Sequence, residues 1–158
     1  MKRIMSNAAL MALLCMAVAT MEAVPMLSAA ERYSITDLGT LGGTYSTAMA
    51  INGSGQVVGY SNTSSGETHA FLWQSGLNSG KGSMIDLGTL GGSYSCPWAI
   101  NGSGQIVGES TTPSGETRAF LWQLGLKPGK GYMIDLGTLA GFIHSYAYAI
   151  NGSGQIVG

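Results

Sequence analysis

Ile51-Asn52-Gly53-Ser54-Gly55-Gln56-Val57-Val58-Gly59 returns as Ile100 to Gly108 and again as Ile150 to Gly158. A second phrase keeps step with it: Asp37-Leu38-Gly39-Thr40-Leu41-Gly42-Gly43 recurs from Asp86 to Gly92 and from Asp135 to Gly141. A fixed internal period decides an architecture before local propensity does, because each unit buries its apolar face on the next. Within the first phrase, Asn52-Gly53-Ser54-Gly55 reads as a hairpin turn, since Asn and Gly accept positive φ at little cost. It joins a strand over 46–52 to a return strand over 56–62. Alternation in the first of these predicts Met49 and Ile51 on one face, Ala48 and Ala50 on the other.

Upstream, Tyr33 to Leu38 reads as a short strand running into the Gly-rich turn 39–43. Downstream come a polar turn over 63–67 and a strand over 69–74. Ala70-Phe71-Leu72-Trp73 is apolar without alternation, which predicts cover on both faces. A loop follows over 76–82. An offset of 49 carries Asp37 onto Asp86, Ile51 onto Ile100 and Phe71-Leu72-Trp73 onto Phe120-Leu121-Trp122. The third copy gains one residue near Phe142-Ile143. No stretch holds a helical period over three turns.

Four short strands in about 49 residues make a unit the size of one β-propeller blade. The expected fold is all-β: tandem four-stranded repeats at approximately 33–81, 82–130 and 131–158 (truncated), propeller-like and open. Closed propellers hold about four to eight blades, so two and a half leave the ring incomplete. A stacked β-solenoid, the rival, has shorter coils. Further repeats or self-association are expected to cover the open strand edges, which are otherwise an aggregation liability.

The first thirty residues read differently. Lys2 and Arg3 start them, an apolar run spans Ala8 to Ala19, and Ser28-Ala29-Ala30 has the small side chains of a cleavage site. That is the layout of a secretory signal peptide over 1–30, with a β-repeat domain over 31–158. The apolar run is shorter than the roughly 20 residues a membrane-spanning helix requires, and Glu22 and Pro25 follow closely. Leu14 stands before Cys15 where a lipoprotein would carry a small residue. The expected location is secreted, extracellular or periplasmic, with no stable membrane span after processing.

From residue 31 onward five basic side chains face seven acidic ones, and all 25 glycines lie in this part. With no basic patch, no nucleic-acid partner is expected on electrostatic grounds. The glycine excess suits tight turns rather than helices. Only Cys96 remains after processing, so no intrachain disulfide forms and Cys96 is expected as a small buried filler.

The same residues carry a resemblance. Asp-Leu-Gly-Thr-Leu-Gly-Gly, then Ala50-Ile51-Asn52-Gly53-Ser54-Gly55-Gln56-Val57-Val58-Gly59, then His69-Ala70-Phe71-Leu72-Trp73 resemble the HAF-repeat family of extracellular bacterial repeats. The His-Ala-Phe triplet stands at 69–71, and the second copy departs from it with Arg118-Ala119-Phe120. The resemblance covers essentially all of 33–158. It implies a secreted, tandemly repeated β protein and brings no catalytic residues with it.

Candidate chemistry is sparse. Asp37, Asp86 and Asp135 recur in place and are expected to accept backbone N–H bonds from the glycine turns that follow them. Gln56, Gln105 and Gln155 are expected to pair with backbone groups of the turn. Gly53, Gly55 and Gly59 mimic a dinucleotide fingerprint, but the spacing is one residue too long and a strand follows where a helix N-terminus is required. Gly76 to Gly82 mimics a phosphate loop with one residue too few before Gly80-Lys81. His69 and His144 hold non-equivalent positions, and one Cys with two His offers no set of three or four metal ligands. Glu67, Glu109 and Glu116 supply carboxylates, of which Glu67 and Glu116 are equivalent residues of a polar turn. No catalytic residue, cofactor or metal site is therefore predicted.

The informative positions are those where the copies disagree: Met49, Trp98 and Tyr148; Thr47, Cys96 and Tyr146; Tyr45, Tyr94 and His144; Tyr60 and Glu109. If they share a rim, Tyr94, Trp98, Tyr146 and Tyr148 form an aromatic surface suited to sugar faces or an exposed peptide. Otherwise they fill gaps between units. The function expected is a secreted, non-enzymatic module that binds a glycan or protein ligand through weak, repeated sites. The alternatives are an extracellular glycan-acting hydrolase or lyase on a propeller scaffold, supported by fold analogy alone, and a purely structural envelope protein.

Overall fold

A computed structural model of the chain describes residues 34–76, 82–125 and 130–158. The signal-peptide assignment and most of the 76–82 loop lie outside these residues. The described residues are all-β, without a helix, and so none long and apolar enough to cross a membrane. Thr36–Gly158 form one unit.

The strands fall into three antiparallel sheets. β1 (Gly42–Ile51), β2 (Val57–Thr63), β3 (Thr68–Gln74) and β4 (Ser83–Gly88) form the first, in sequential order. β5 (Ser95–Ile100), β6 (Ile106–Thr111), β7 (Thr117–Leu124) and β8 (Gly131–Asp135) form the second in the same way. β9 (Ala149–Ile150) and β10 (Ile156–Val157) form a two-stranded sheet. β5 packs against β1, β2 and β3, and β9 against β5 and β6. The register Val57↔Trp73 in the first sheet reappears as Ile106↔Trp122 in the second.

Each hairpin is set by its asparagine. The Asn52 N–H donates to the Gln56 carbonyl and the Gly55 N–H to the Asn52 carbonyl, both at 3.0 Å. Asn52 Oδ1 accepts the N–H of Ser54 and of Gln56, each at 3.0 Å. The left-handed φ falls on Gly55, at 74°, and on no asparagine. Contrary to expectation, Gln56 meets the asparagine side chain: Asn52 Nδ2 donates to its Oε1 at 2.8 Å. The same set recurs at Asn101 and Asn151.

The asparagines also join the sheets. Asn52 Nδ2 donates to the Asn101 carbonyl at 3.0 Å, and Asn101 Nδ2 to the Asn151 carbonyl at 3.1 Å. Serines make a second set of links: Ser95 Oγ accepts from the Ala70 N–H at 2.8 Å, Ser145 Oγ from the Ala119 N–H at 2.9 Å. Ser95 is fully buried yet satisfied, because its hydroxyl donates onward to the Gly88 carbonyl. A buried hydroxyl with both roles filled avoids the cost of a lost hydrogen bond.

Between the first two sheets lies the main core: Val58, Ala70, Leu72 and Leu87 against Ile106, Phe120 and Trp122. Val107, Ala119 and Ala147 begin a second core toward the two-stranded sheet. β7 lies between the two cores, with Phe120 and Trp122 in the first and Ala119 and Leu121 in the second, which explains its continuous apolar run; in β3, Ala70 and Leu72 face the first core and Phe71 is also buried. Full burial of a side chain such as Phe120 stabilises by about 1.5–3 kcal/mol.

Two expectations are corrected. Residues 34–38 are not a strand, although the equivalent Asp-Leu-Gly residues close β4 at 86–88. β4 exists because β3 pairs with it, through Phe71↔Asp86 and Leu72↔Ile85; among the described residues no strand pairs with 34–38. The alternation predicted along 46–52 is also broken. Ala48 pairs with Gly59 and Ala50 with Val58, so Met49 is an unpaired extra residue, a β-bulge.

Candidate functional site

The bulge builds the candidate site. In β5, Pro97 pairs with Gly108 and Ala99 with Val107, leaving Trp98 unpaired. In the two-stranded sheet Val157 pairs with Ala149 while its carbonyl accepts the Tyr148 N–H at 2.9 Å. Met49, Trp98 and Tyr148 thus sit at one structural position, where the strand steps out of its ladder. A bulge re-aims a side chain, and all three are exposed: Met49 and Trp98 at 37%, Tyr148 at 53%.

Trp98 and Tyr148 meet edge to face with ring centroids 5.9 Å apart at 68°. Tyr146 and Tyr148 are parallel within 3°, centroids 6.2 Å apart. Residues two apart on an extended chain point the same way about 6.6 Å apart, which explains this ladder. Tyr94 is half-buried beside the group, with its hydroxyl 3.4 Å from Glu109 Oε1. Trp98 Nε1 stands 3.4 Å from Glu109 Oε2. Both contacts are longer than a strong N–H···O or O–H···O bond, so the carboxylate keeps capacity to accept from another group.

All four sequence-predicted surface residues therefore lie in one neighbourhood: Trp98, Tyr146 and Tyr148 as a row of exposed rings, Tyr94 behind Trp98 on the shared carboxylate. What the sequence left unassigned is the placement of Glu109 between Tyr94 and Trp98. Its signal was the substitution itself, since Glu109 stands where the first copy has Tyr60. There, Tyr45 and Tyr60 make an edge-to-face pair 6.2 Å apart at 84°, with no carboxylate.

Beneath the row, Cys96 is buried and free, as predicted. Burial pushes its thiol above the ordinary range, Tyr94 draws it back in part, and Glu109 raises it further. Burial likewise raises the Tyr94 phenol, with Cys96 and Glu109 acting the same way. Both groups are held neutral.

The other candidates are structural in their contacts. Asp37, Asp86 and Asp135 each accept the N–H of the glycine two residues on, at 2.9, 2.8 and 2.7 Å. His69 lies between two carboxylates, Nδ1 at 2.9 Å from Asp86 and Nε2 at 3.7 Å from Glu67. His144 Nδ1 accepts the Thr117 N–H at 3.1 Å, a link between sheets. Among the described residues no group of three His, Cys, Asp or Glu side chains is placed to hold a metal ion.

The chain matches no known protein family, curated protein or solved structure. The arrangement must be read from its own chemistry. Exposed ring faces offer apolar stacking to a flat or ringed group, and Glu109 offers an acceptor for hydroxyl, amide or cationic hydrogen.

Proposed function

We propose that this chain is a secreted, non-enzymatic repeat module that binds a glycan or protein ligand through Tyr94, Trp98, Tyr146 and Tyr148. The observation that carries the reading is the edge-to-face contact of Trp98 with Tyr148, two bulge residues from neighbouring sheets, with Glu109 against the indole N–H. The rings are displayed rather than packed away, and a carboxylate beside aromatic faces suits the mixed apolar and hydroxylated surface of a sugar. The basic start, the apolar run of 8–19 and Ser28-Ala29-Ala30 support secretion.

A propeller-like architecture is part of the same proposal. Its support is the meander order of both four-stranded sheets and the packing of their first strands, β1 on β5 and β5 on β9. In such an array the bulge positions fall on one side of successive blades, so one ligand chain can touch several. Each aromatic contact contributes about 0.5–1.5 kcal/mol, and useful affinity comes from engaging several at once.

The test is retention of the purified chain on a panel of immobilised polysaccharides and extended peptides, followed by intrinsic Trp fluorescence with the retained ligand. Trp98→Ala is expected to abolish retention with the melting temperature changed by no more than a few degrees. Normal folding with undiminished retention refutes the aromatic surface. Turnover of a polysaccharide, rather than retention, would establish an enzyme instead.

A further inference from the structure

Among the described residues, Glu109 is the one acidic side chain whose contacts neither hold a turn nor meet a basic group. Glu67 and Asp86 flank His69, and Glu116 holds Arg118. Asp37 and Asp135 accept the N–H of the glycine turns that follow them. Glu109 meets the Tyr94 hydroxyl on Oε1 and the Trp98 indole N–H on Oε2, each at 3.4 Å.

The register places it there. Glu109 pairs with Cys96 across β5 and β6, so the two side chains share a face of the sheet. Tyr94 and Trp98 lie two residues to either side of Cys96, and Glu109 stands between them. Cys96 is buried and forms the floor. Trp98 remains 37% exposed although sheets pack against both sides of its own, β1 to β3 on β5 and β9 on β5 and β6.

Each carboxylate oxygen can accept twice and has one long contact. Two oxygens open to further donors, beside an exposed indole, match a guanidinium. That group is planar, stacks on an aromatic face and presents its N–H donors in a fork that fits both oxygens of a carboxylate. An ammonium brings the charge without the fork, and a pair of sugar hydroxyls brings donors without the charge.

We propose that Tyr94, Trp98 and Glu109 form a receptor for an arginine side chain carried on an extended peptide of a protein partner. The guanidinium lies over the exposed indole and its fork closes on Glu109. This rests on the aromatic-surface reading above and names the chemistry of its ligand. The first copy offers a ring pair only, because Tyr60 stands in the place of Glu109 and meets Tyr45 edge to face.

The experiment follows the Trp98 indole N–H by proton–nitrogen NMR while Nα-acetyl-arginine amide is titrated into the purified chain. Nα-acetyl-citrulline amide is the uncharged control of the same shape, and Nα-acetyl-lysine amide the charged control without a fork. The Trp98 signal is expected to shift saturably, with arginine bound about fivefold or more tighter than citrulline and about twofold or more tighter than lysine. Glu109→Gln keeps an acceptor and loses the charge; it should bring arginine and citrulline within about twofold of each other, with an unchanged melt. The citrulline comparison uses the unaltered chain, so a folding defect cannot mimic it. Arginine bound no better than citrulline, lysine bound as well as arginine, or a preference indifferent to Glu109→Gln overturns the proposal. A Trp98 signal that moves with a retained polysaccharide but not with acetyl-arginine amide overturns the arginine assignment and leaves the aromatic surface standing. A signal that moves with neither, together with undiminished retention of Trp98→Ala, removes both.

Discussion

Asn101→Ala isolates what the asparagine clips contribute between sheets. The Asn101 side chain donates to Gln105 Oε1 at 2.8 Å and to the Asn151 carbonyl at 3.1 Å. It accepts the N–H of Ser103 at 3.1 Å and of Gln105 at 3.0 Å. Asn101 is only 5% exposed, so water cannot replace all four. A buried hydrogen bond contributes about 1 kcal/mol net, and a partner left unsatisfied costs about 1–3 kcal/mol. With the exposed Ser103 N–H rehydrated, the expected loss is about 3 kcal/mol. Asn151 makes the same local bonds, at 2.7, 3.0 and 2.9 Å, but is exposed and donates to no other sheet among the described residues. Asn151→Ala should therefore cost about 1 kcal/mol or less. In urea, with a slope of about 2 kcal/mol/M, the midpoint should fall by about 1.5 M for Asn101→Ala and by no more than about 0.5 M for Asn151→Ala. Equal midpoint shifts for the two variants would refute the claim that the clip acts between sheets.

Four further outcomes are expected. Gly108→Ala would drive a Cβ into the Cys96 carbonyl and to 2.8 Å from Pro97 Cα, whereas Gly102→Ala meets nothing within 4 Å; thermal melts should show a loss of about 3 kcal/mol for the first and under about 0.5 kcal/mol for the second. On the chain from residue 31 on, where Cys96 is the one thiol, Ellman's reagent at pH 8 should label only after unfolding, and equal rates in native buffer and in urea would contradict the burial. Because the folded thiol titrates higher than the unfolded one, unfolding releases a proton, so stability should decline as pH rises above the ordinary thiol range, with Tyr94 acting in the same direction at higher pH. The Arg118 guanidinium bonded to Glu116 lowers that carboxyl; the small stability it contributes is present above the ordinary carboxylate range and lost as pH falls through the lowered value, and Arg118→Gln should move the Glu116 titration upward when followed by carbon NMR.

The hairpins were legible because their cause is local. Asn52, Ser54, Gly55 and Gln56 satisfy one another within five residues, and any copy of the phrase must fold the same way. The double-faced burial of Ala70 to Leu72 was legible from composition alone. Residues 34–38 were misread because a strand is a property of its partner: Asp86-Leu87-Gly88 is extended beside β3, and Asp37-Leu38-Gly39 has no such neighbour among the described residues. The bulge left no mark in the sequence, since Ala-Met-Ala and Pro-Trp-Ala alternate as well as any regular strand. The aromatic row was half legible. Disagreement between copies pointed to Trp98, Tyr146 and Tyr148, but their meeting depends on the packing of β9 against β5, and the carboxylate between Tyr94 and Trp98 on the register of β6.

The bulge has a consequence for how such a chain can change. A bulge residue has no partner of its own in the strand register, and its side chain stays exposed rather than filling the core. Met, Trp and Tyr occupy that slot in turn while the surrounding Ala, Ile, Asn and Gly stay fixed. The residues that fold the phrase and the residue that varies are thereby separate letters of it. Duplicating the phrase multiplies the exposed positions, and each can change its side chain without passing through an unfolded intermediate.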